Sequence, residues 1–408
     1  MSTDRPGSPF ALARDPLPGE PLDFSLVLGG PLYQLLRRTH LTDDALTLVR
    51  RRVVAISLLA WLPLAILSAL EGEFRDGSAA VPFLMDIDLH VKLLVAMPLL
   101  IVAELVVHQR IRTVMRSFRD RLLVPEAAEP RLEAAVTSAL RLRNSLTAEL
   151  LLIAFVYMVG VTIVWRQYTA LDAATWYAMP TADGSTLTLA GMWYGYISLP
   201  LFQFLLLRWY FRILVWARLL WQVSRIELNL VPTHPDRLGG LGFLAETVRA
   251  FVPLLMAHGA LLAGQIANQI FHLGASLPQF KLEVLLLVIF LLFVVMGPLL
   301  VFTPQLAGAR RKGLREYGTL AQHYVRDFDA KWLRGGAPRD EQLLGSADLQ
   351  SLADLGNSFA VVQTMRNAPI TKESMFVLVL ATVAPIAPLL LTLMPLEELL
   401  GKLLGMLF

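Results

Sequence analysis

Residues 283–303 read EVLLLVIFLLFVVMGPLLVFT, and after Glu283 no charged side chain occurs in the run. A helix rises about 1.5 Å per residue, so a stretch of this length matches the roughly 30 Å hydrocarbon thickness of a bilayer. Six further stretches have the same character, near 53–70, 91–107, 147–165, 187–207, 250–270 and 375–394. The expectation is an all-α fold, a polytopic transmembrane helix bundle of about seven spans with cytoplasmic helical extensions.

Composition agrees. Of 408 residues, 55% are hydrophobic and 17% charged, and the mean hydropathy is +0.56. A water-soluble chain carries nearer ~25% charged residues. The formal net charge of +3 gives no argument for nucleic acid as a partner. Cysteine is absent, which excludes disulfides, thiolate metal sites and cysteine nucleophiles. The first thirty residues hold no apolar core of a signal peptide, so the first span is expected to act as its own insertion signal. Arginine outnumbers lysine thirty to six, a bias of GC-rich bacterial genomes, and the expected location is the bacterial inner membrane.

Orientation follows from basic residues. With the N-terminus in the cytoplasm, 31 of the 36 Lys and Arg residues fall on the cytoplasmic side, as the positive-inside rule requires. Trp165, Trp176, Tyr177, Trp193 and Tyr194 would then anchor the outer interface, and Trp209, Tyr210 and Trp216 the inner one.

The chain divides accordingly. Residues 1–22 read as a disordered cytoplasmic tail, and 23–108 as an interfacial helix (23–41) followed by spans one and two. A cytoplasmic helical segment occupies 109–146, and spans three and four occupy 147–207. Residues 208–249 read as a cytoplasmic amphipathic helix that continues from span four or lies along the inner leaflet, with Arg212, Arg218, Gln222 and Arg225 on one arc, and then a glycine-rich turn. Spans five and six fill 250–303. The largest cytoplasmic region, 307–373, breaks at Gly335–Gly336–Ala337–Pro338 and resumes as a helix capped by Ser346. Residues 374–408 give span seven, with Pro385 and Pro388 expected to kink it, and an external amphipathic tail.

Span five is the most informative. His258, Gln265, Asn268, Gln269 and His272 fall within an arc of about 100°, while Gly259, Ala260, Ala263, Gly264 and Ala267 make a small-residue face opposite. The five polar groups either line an outer vestibule, constricted below by Leu254 and Leu261, or hydrogen-bond to neighbouring helices as polar glue. In span two, Glu104 and His108 make either an ion or proton site or an ion pair with a nearby arginine such as Arg110 or Arg112. The turn THPDRLGGLGF (233–243) offers His234, Asp236, Gly239, Gly240 and Gly242. It is either an anion-binding backbone or a rigid turn capped by Asp236, and two ligands make no metal site. Asp86 and Asp88 have the spacing of metal-dependent sugar transferases or belong to a solvated loop. Glu71, Glu73 and Asp76 would make the outer mouth acidic.

No catalytic triad, zinc spacing or nucleotide loop can be assembled, and neither cofactor nor metal is expected. The leading expectation is a channel or transporter-like protein, a homo-oligomer in membrane lipid, passing an ion or small solute along span five. A membrane enzyme acting on a lipid or lipid-linked substrate is one alternative. A scaffold or signalling component that binds a cytoplasmic protein through 307–373 is another.

Overall fold

The computed structural model describes residues 24–30, 33–34, 48–75, 79, 81–165, 175–181, 184–338 and 341–393, with side chains left out at 161–165 and 180–185. The expected tail (1–22), most of the expected interfacial helix and the external tail from 394 lie outside the described residues.

The chain is almost wholly helical, and the elements are α1 Val49–Leu70, α2 Ile87–Asp120, α3 Glu126–Arg143, α4 Leu146–Gly160, α5 Leu189–Val223, α6 Gly242–Leu273, α7 Leu277–Leu333 and α9 Lys372–Thr392, with α8 Ala347–Gln363 between the last two. Six of them are long and apolar enough to cross a membrane by length and composition. The count reaches seven if α3 and α4, bent by 44° at their junction, form one broken span. Every stretch expected to span is helical over its described residues, apart from Leu187 and Thr188 at the start of the fourth. The hairpin β1 Ala178–Thr181 with β2 Gly184–Leu187, antiparallel with Ala178 opposite Leu187, was not expected.

Local chemistry sets the boundaries. Asp86 caps α2 by accepting from the Leu89 amide at 3.1 Å. Thr188 caps α5 through the Gly191 amide at 2.9 Å, and Ser145 caps α4 through Ala148 at 3.2 Å. Ser346 holds the cap position of α8, as expected, but its hydroxyl makes no capping bond. The helix α9 tightens into 3₁₀ geometry from Ala384, where Pro385 and Pro388 remove backbone donors.

Helix α6 is central and packs against both α2 and α9. The approach to α9 is close enough that a Cβ at Gly259 would lie 2.0 Å from the Thr382 carbonyl oxygen. Only glycine permits that contact. Helix α5 runs from Leu189 to Val223, so 208–223 continues the helix of the expected fourth span. Trp209 and Trp216 are buried in the core, and so is Trp176, enclosed by Phe83, Tyr177 and Tyr194. Helix α7 continues far past residue 303 and pairs with α8 as an antiparallel hairpin. Arg310 meets Gln363, Gly318 faces Phe359 and Tyr324 meets Asp348.

The segment before α1 departs from expectation. Residues 24–30 are bends, not helix, and Phe24, Leu26 and Val27 are fully buried. Apolar side chains that a surface helix would lay into headgroups instead enter the bundle, where they cover charged groups.

Candidate functional site: a buried arginine–glutamate cluster

Glu104, on α2, is 5% exposed and holds three guanidinium groups. Arg52, in the first turn of α1, reaches Oε2 at 2.5 Å. Arg212 of α5 reaches Oε1 at 2.7 Å, and Arg208, one turn earlier, lies 3.6 Å from the same oxygen. Arg208 also pairs with Glu149, in the first turn of α4, at 3.3 Å. The cluster thus ties α1, α2, α4 and α5 together at one level of an otherwise apolar bundle.

Its roof is segment 24–30. The Gly29 carbonyl accepts from Arg208 at 3.5 Å, and the Ser25 carbonyl accepts from Arg143 at the end of α3. Gly29 and Gly30 have φ of +131° and +87°, and a Cβ at Gly30 would sit 2.8 Å from Glu149 Oε1. The chain can turn over the carboxylates there only without side chains. His108 meets the Ser25 hydroxyl at 2.7 Å, so it joins the roof. The expected pairing of Glu104 with Arg110 or Arg112 is replaced by arginines from other helices.

Rigidity comes from packing. The Arg212 guanidinium lies 5.0 Å over the Trp209 ring, whose Nε1 donates to the Leu100 carbonyl at 2.9 Å. Even so, the cluster is not fully satisfied. Arg52 Nε and Arg212 Nη2 are buried donors without acceptors. Three arginines (Arg52, Arg208, Arg212) pair with two glutamates (Glu104, Glu149) among the described residues, and Arg143 adds a fourth guanidinium at the roof.

The polar stripe of α6 divides. His258 Nδ1 donates to the Leu254 carbonyl (2.8 Å), and its Nε2 meets Tyr210 Oη (2.6 Å). Asn268 accepts from the Ile87 amide at 2.9 Å and donates to Asp86 at 2.8 Å. His272 contacts the Met85 carbonyl at 2.9 Å. Those three side chains join helix to helix, whereas Gln265 and Gln269 are exposed. Leu254 is buried in the main core and Leu261 packs against it, so these leucines are packing residues here.

The outer acidic groups are also engaged. Asp86 accepts from Trp176 Nε1 at 2.9 Å, and Asp88 pairs with Lys92 at 2.8 Å. Lys92 in turn reaches Tyr194 Oη at 3.1 Å. Glu71 accepts from the amides of Leu189 and Ala190 at the start of α5, and Glu73 from Ala79. Asp86 and Asp88 therefore belong to a half-buried network, not a solvated loop. Glu71 and Glu73 cap backbone amides. Asp76 lies outside the described residues.

In the glycine turn, Asp236 accepts from the amides of Leu238 (2.8 Å), Gly240 (3.2 Å) and Gly242 (2.8 Å), and His234 Nδ1 lies 2.9 Å from it. Gly239 and Gly240 have φ of +63° and +100°, and Met365 packs on Gly239. The turn is a carboxylate-centred knot joining α6 to the α7–α8 hairpin. Beside it lies a cavity of about 250 Å³ lined by Arg121, Asn229 and His234. No group of three metal-ligating side chains occurs among the described residues.

Sequence reasoning missed Arg52, Arg208 and Glu149. Arg52 and Arg208 enter the sequence reading only in the count of cytoplasmic basic residues, and Glu149, inside the expected third span, is not singled out. The signal was present in Arg208 and Arg212, a pair one turn apart flanked by Leu207, Trp209, Phe211 and Ile213. An arginine pair on one face of an apolar helix needs a buried carboxylate, and Glu104 answers it. Comparison with family models, with curated proteins and with solved structures finds no match for this chain.

Proposed function

We propose that the chain is a polytopic protein of the bacterial inner membrane, with its N-terminus in the cytoplasm, that passes an ion or small solute. The observation that carries the transport part is the buried cluster around Glu104. Ionisable groups inside an apolar bundle are costly, and the usual return for that cost is a substrate or ion pathway. The membrane part is supported by the six or seven long apolar helices and by the 31 of 36 basic residues on one side of them.

In this reading the charged element of the route is Glu104 with Arg52, Arg208 and Arg212. The α6 stripe contributes the packing of α6 on α2 and α5 through Asn268 and His258. Its exposed amides, Gln265 and Gln269, lie one turn apart on an apolar surface, an arrangement that supports contact with a second copy of the chain. The test is flux in liposomes reconstituted with the purified protein, driven by outward or inward gradients of cations and of anions. Flux above protein-free liposomes, reduced in Arg208→Gln and unaffected in Leu261→Ser, is expected. Liposomes silent to every gradient at several pH values and voltages refute the transport reading.

A further inference from the structure

We propose that the cavity between the α2–α3 loop and the glycine turn is a binding site for a small phosphate ester, its phosphate held by Arg121 and His234. The site lies roughly 25 Å further along α2 than Glu104, and it does not depend on the transport reading.

Four observations carry it. The first is space. The cavity holds about 250 Å³, with Arg121, His234 and Asn229 as its polar lining and Leu123 and Val231 as its apolar lining. A water takes about 30 Å³ in the liquid, and drug-sized pockets begin near 300 Å³, so the cavity suits a small molecule. The second is charge. No carboxylate lines the cavity, and the Arg121 side chain has no ion pair or hydrogen bond among the described residues. Its guanidinium lies 5.1 Å over the Phe243 ring, which is itself fixed edge-on against Phe118. The fork is therefore oriented while its donors are unspent. The third is His234. Asp236 Oδ1 lies 2.9 Å from its Nδ1, and Nε2 has no hydrogen-bond partner among the described residues. A ring carrying both protons gives Nδ1–H to Asp236 and Nε2–H to an anion. The Asp236 carboxylate is meanwhile bound into the turn by the amides of Leu238, Gly240 and Gly242. A fork and a separate ring N–H call for three acceptor oxygens, which a phosphate ester offers and a carboxylate does not.

The fourth observation is backbone strain. Leu122 and Arg237 are the two non-glycine residues with left-handed φ among the described residues, at +52° and +56°. Each lies in one of the two loops that wall the cavity. Leu122 is 77% exposed, so its own burial does not repay the strain. Bulky residues in this conformation are costly, and they gather at ligand sites. The two loops are also locked to each other. The Asn229 amide donates to the Leu123 carbonyl at 2.8 Å, and its side chain donates to the Leu122 carbonyl at 3.2 Å. The cavity is thus formed before a ligand arrives, which spares the cost of ordering it.

A soluble ester and a lipid headgroup present the same phosphate to these side chains. The test is equilibrium binding of radiolabelled glycerol 3-phosphate to the purified full-length chain in detergent. Saturable binding is expected, displaced by inorganic phosphate and not by glycerol, or by chloride at equal ionic strength. Arg121→Gln should weaken it tenfold or more. Val231→Trp, at a position 50% exposed, fills the space without altering a charge and should weaken it as much. Both changes are at exposed residues, and both variants should elute as wild type in size-exclusion chromatography. Arg311→Gln, at an exposed position on α7, should leave binding unchanged. Where binding is saturable, displacement by phosphatidic acid in mixed micelles assigns the phosphate to a headgroup, and its absence assigns it to a soluble ester. Wild-type protein without saturable binding overturns the proposal, as does binding that both cavity variants retain in full. Displacement by lactate as effective as that by inorganic phosphate overturns the assignment to phosphate.

Discussion

Replacing Glu104 by glutamine changes its volume hardly at all and removes one charge from the centre of the cluster. Glu104 sits 2.5 Å from Arg52, 2.7 Å from Arg212 and 3.6 Å from Arg208. Without it, Arg52 and Arg212 keep no carboxylate and Arg208 keeps Glu149 alone among the described residues. Removing one member of a buried ion pair costs about 3–5 kcal/mol, because the remaining charge is stranded. Here three guanidiniums lose their carboxylate at once, so the expected loss lies at the upper end, about 5 kcal/mol. Trp209 lies beneath Arg212, and its emission in detergent gives a local readout of unfolding alongside circular dichroism. The double variant Glu104→Gln, Arg212→Gln discriminates between mechanisms. If stranded charge is the cause, removing Arg212 as well restores part of the stability, with a coupling of at least about 1 kcal/mol. A single variant within about 0.5 kcal/mol of wild type, or a double variant whose effects simply add, would refute the account of the cluster.

Four further outcomes follow from the packing. Gly259→Leu places a side chain where the Thr382 carbonyl stands, and should abolish the monodisperse peak in size-exclusion chromatography. Gly264→Ala, whose Cβ would meet the Val91 side chain at 3.1 Å and the Asp88 Cα at 3.2 Å, needs a shift of only a few tenths of an ångström and should retain it. Asp236→Ala strips acceptors from three backbone amides at about 1 kcal/mol each, and protease sensitivity between α5 and α6 should rise. Hydrogen bonds from Lys331 and Trp332 hold the Asp348 carboxyl below the usual aspartate range. That contribution to the α7–α8 contact is complete above about pH 4 and fades as pH falls through the lowered value. Trp332 emission should therefore be flat from pH 8 to 5 and change only below about pH 4, and Asp348→Asn should remove the change. Because the chain has no cysteine, Gln265→Cys or Gln269→Cys alone reports on a second copy. Oxidative crosslinking to a dimer in membranes is expected, and failure at both positions excludes an α6 interface.

Much of the architecture could be read from hydropathy. Each expected stretch is a helix because a long apolar run has few other ways to satisfy its backbone. What could not be read was which charged residues face inward. Arg208 and Arg212 carry the same side chain as Arg218, and only the three-dimensional meeting of α5 with Glu104 separates a buried charge from a solvated one. The polar stripe shows the same limit from the other direction. Asn268 and His272 lie on the arc that periodicity assigns them, yet Asp86 and Met85 from the start of α2 claim their hydrogen bonds. Periodicity fixes where a side chain points along its own helix, and tertiary contacts decide what it meets. The roof was misread for a related reason. Gly29 and Gly30 break the helical pattern of 23–41, and the break was the information, since it marks where the chain folds over Glu149.

The long helix α7 has a mechanical consequence. Its 57 residues span about 85 Å at 1.5 Å per residue, and a bilayer core takes up only about 30 Å of that. In the proposed orientation the rest projects into the cytoplasm as a stiff lever, braced by α8 along its shaft and by the Asp236 knot near its fulcrum. A tilt of about 10° where α7 leaves the bundle would swing its far end by roughly 10 Å over the 55 Å or so of projecting helix. Small rearrangements among the membrane helices would thus be converted into large displacements far from them. Spectroscopic labels near residue 334 are the place to watch for motion that begins at the arginines.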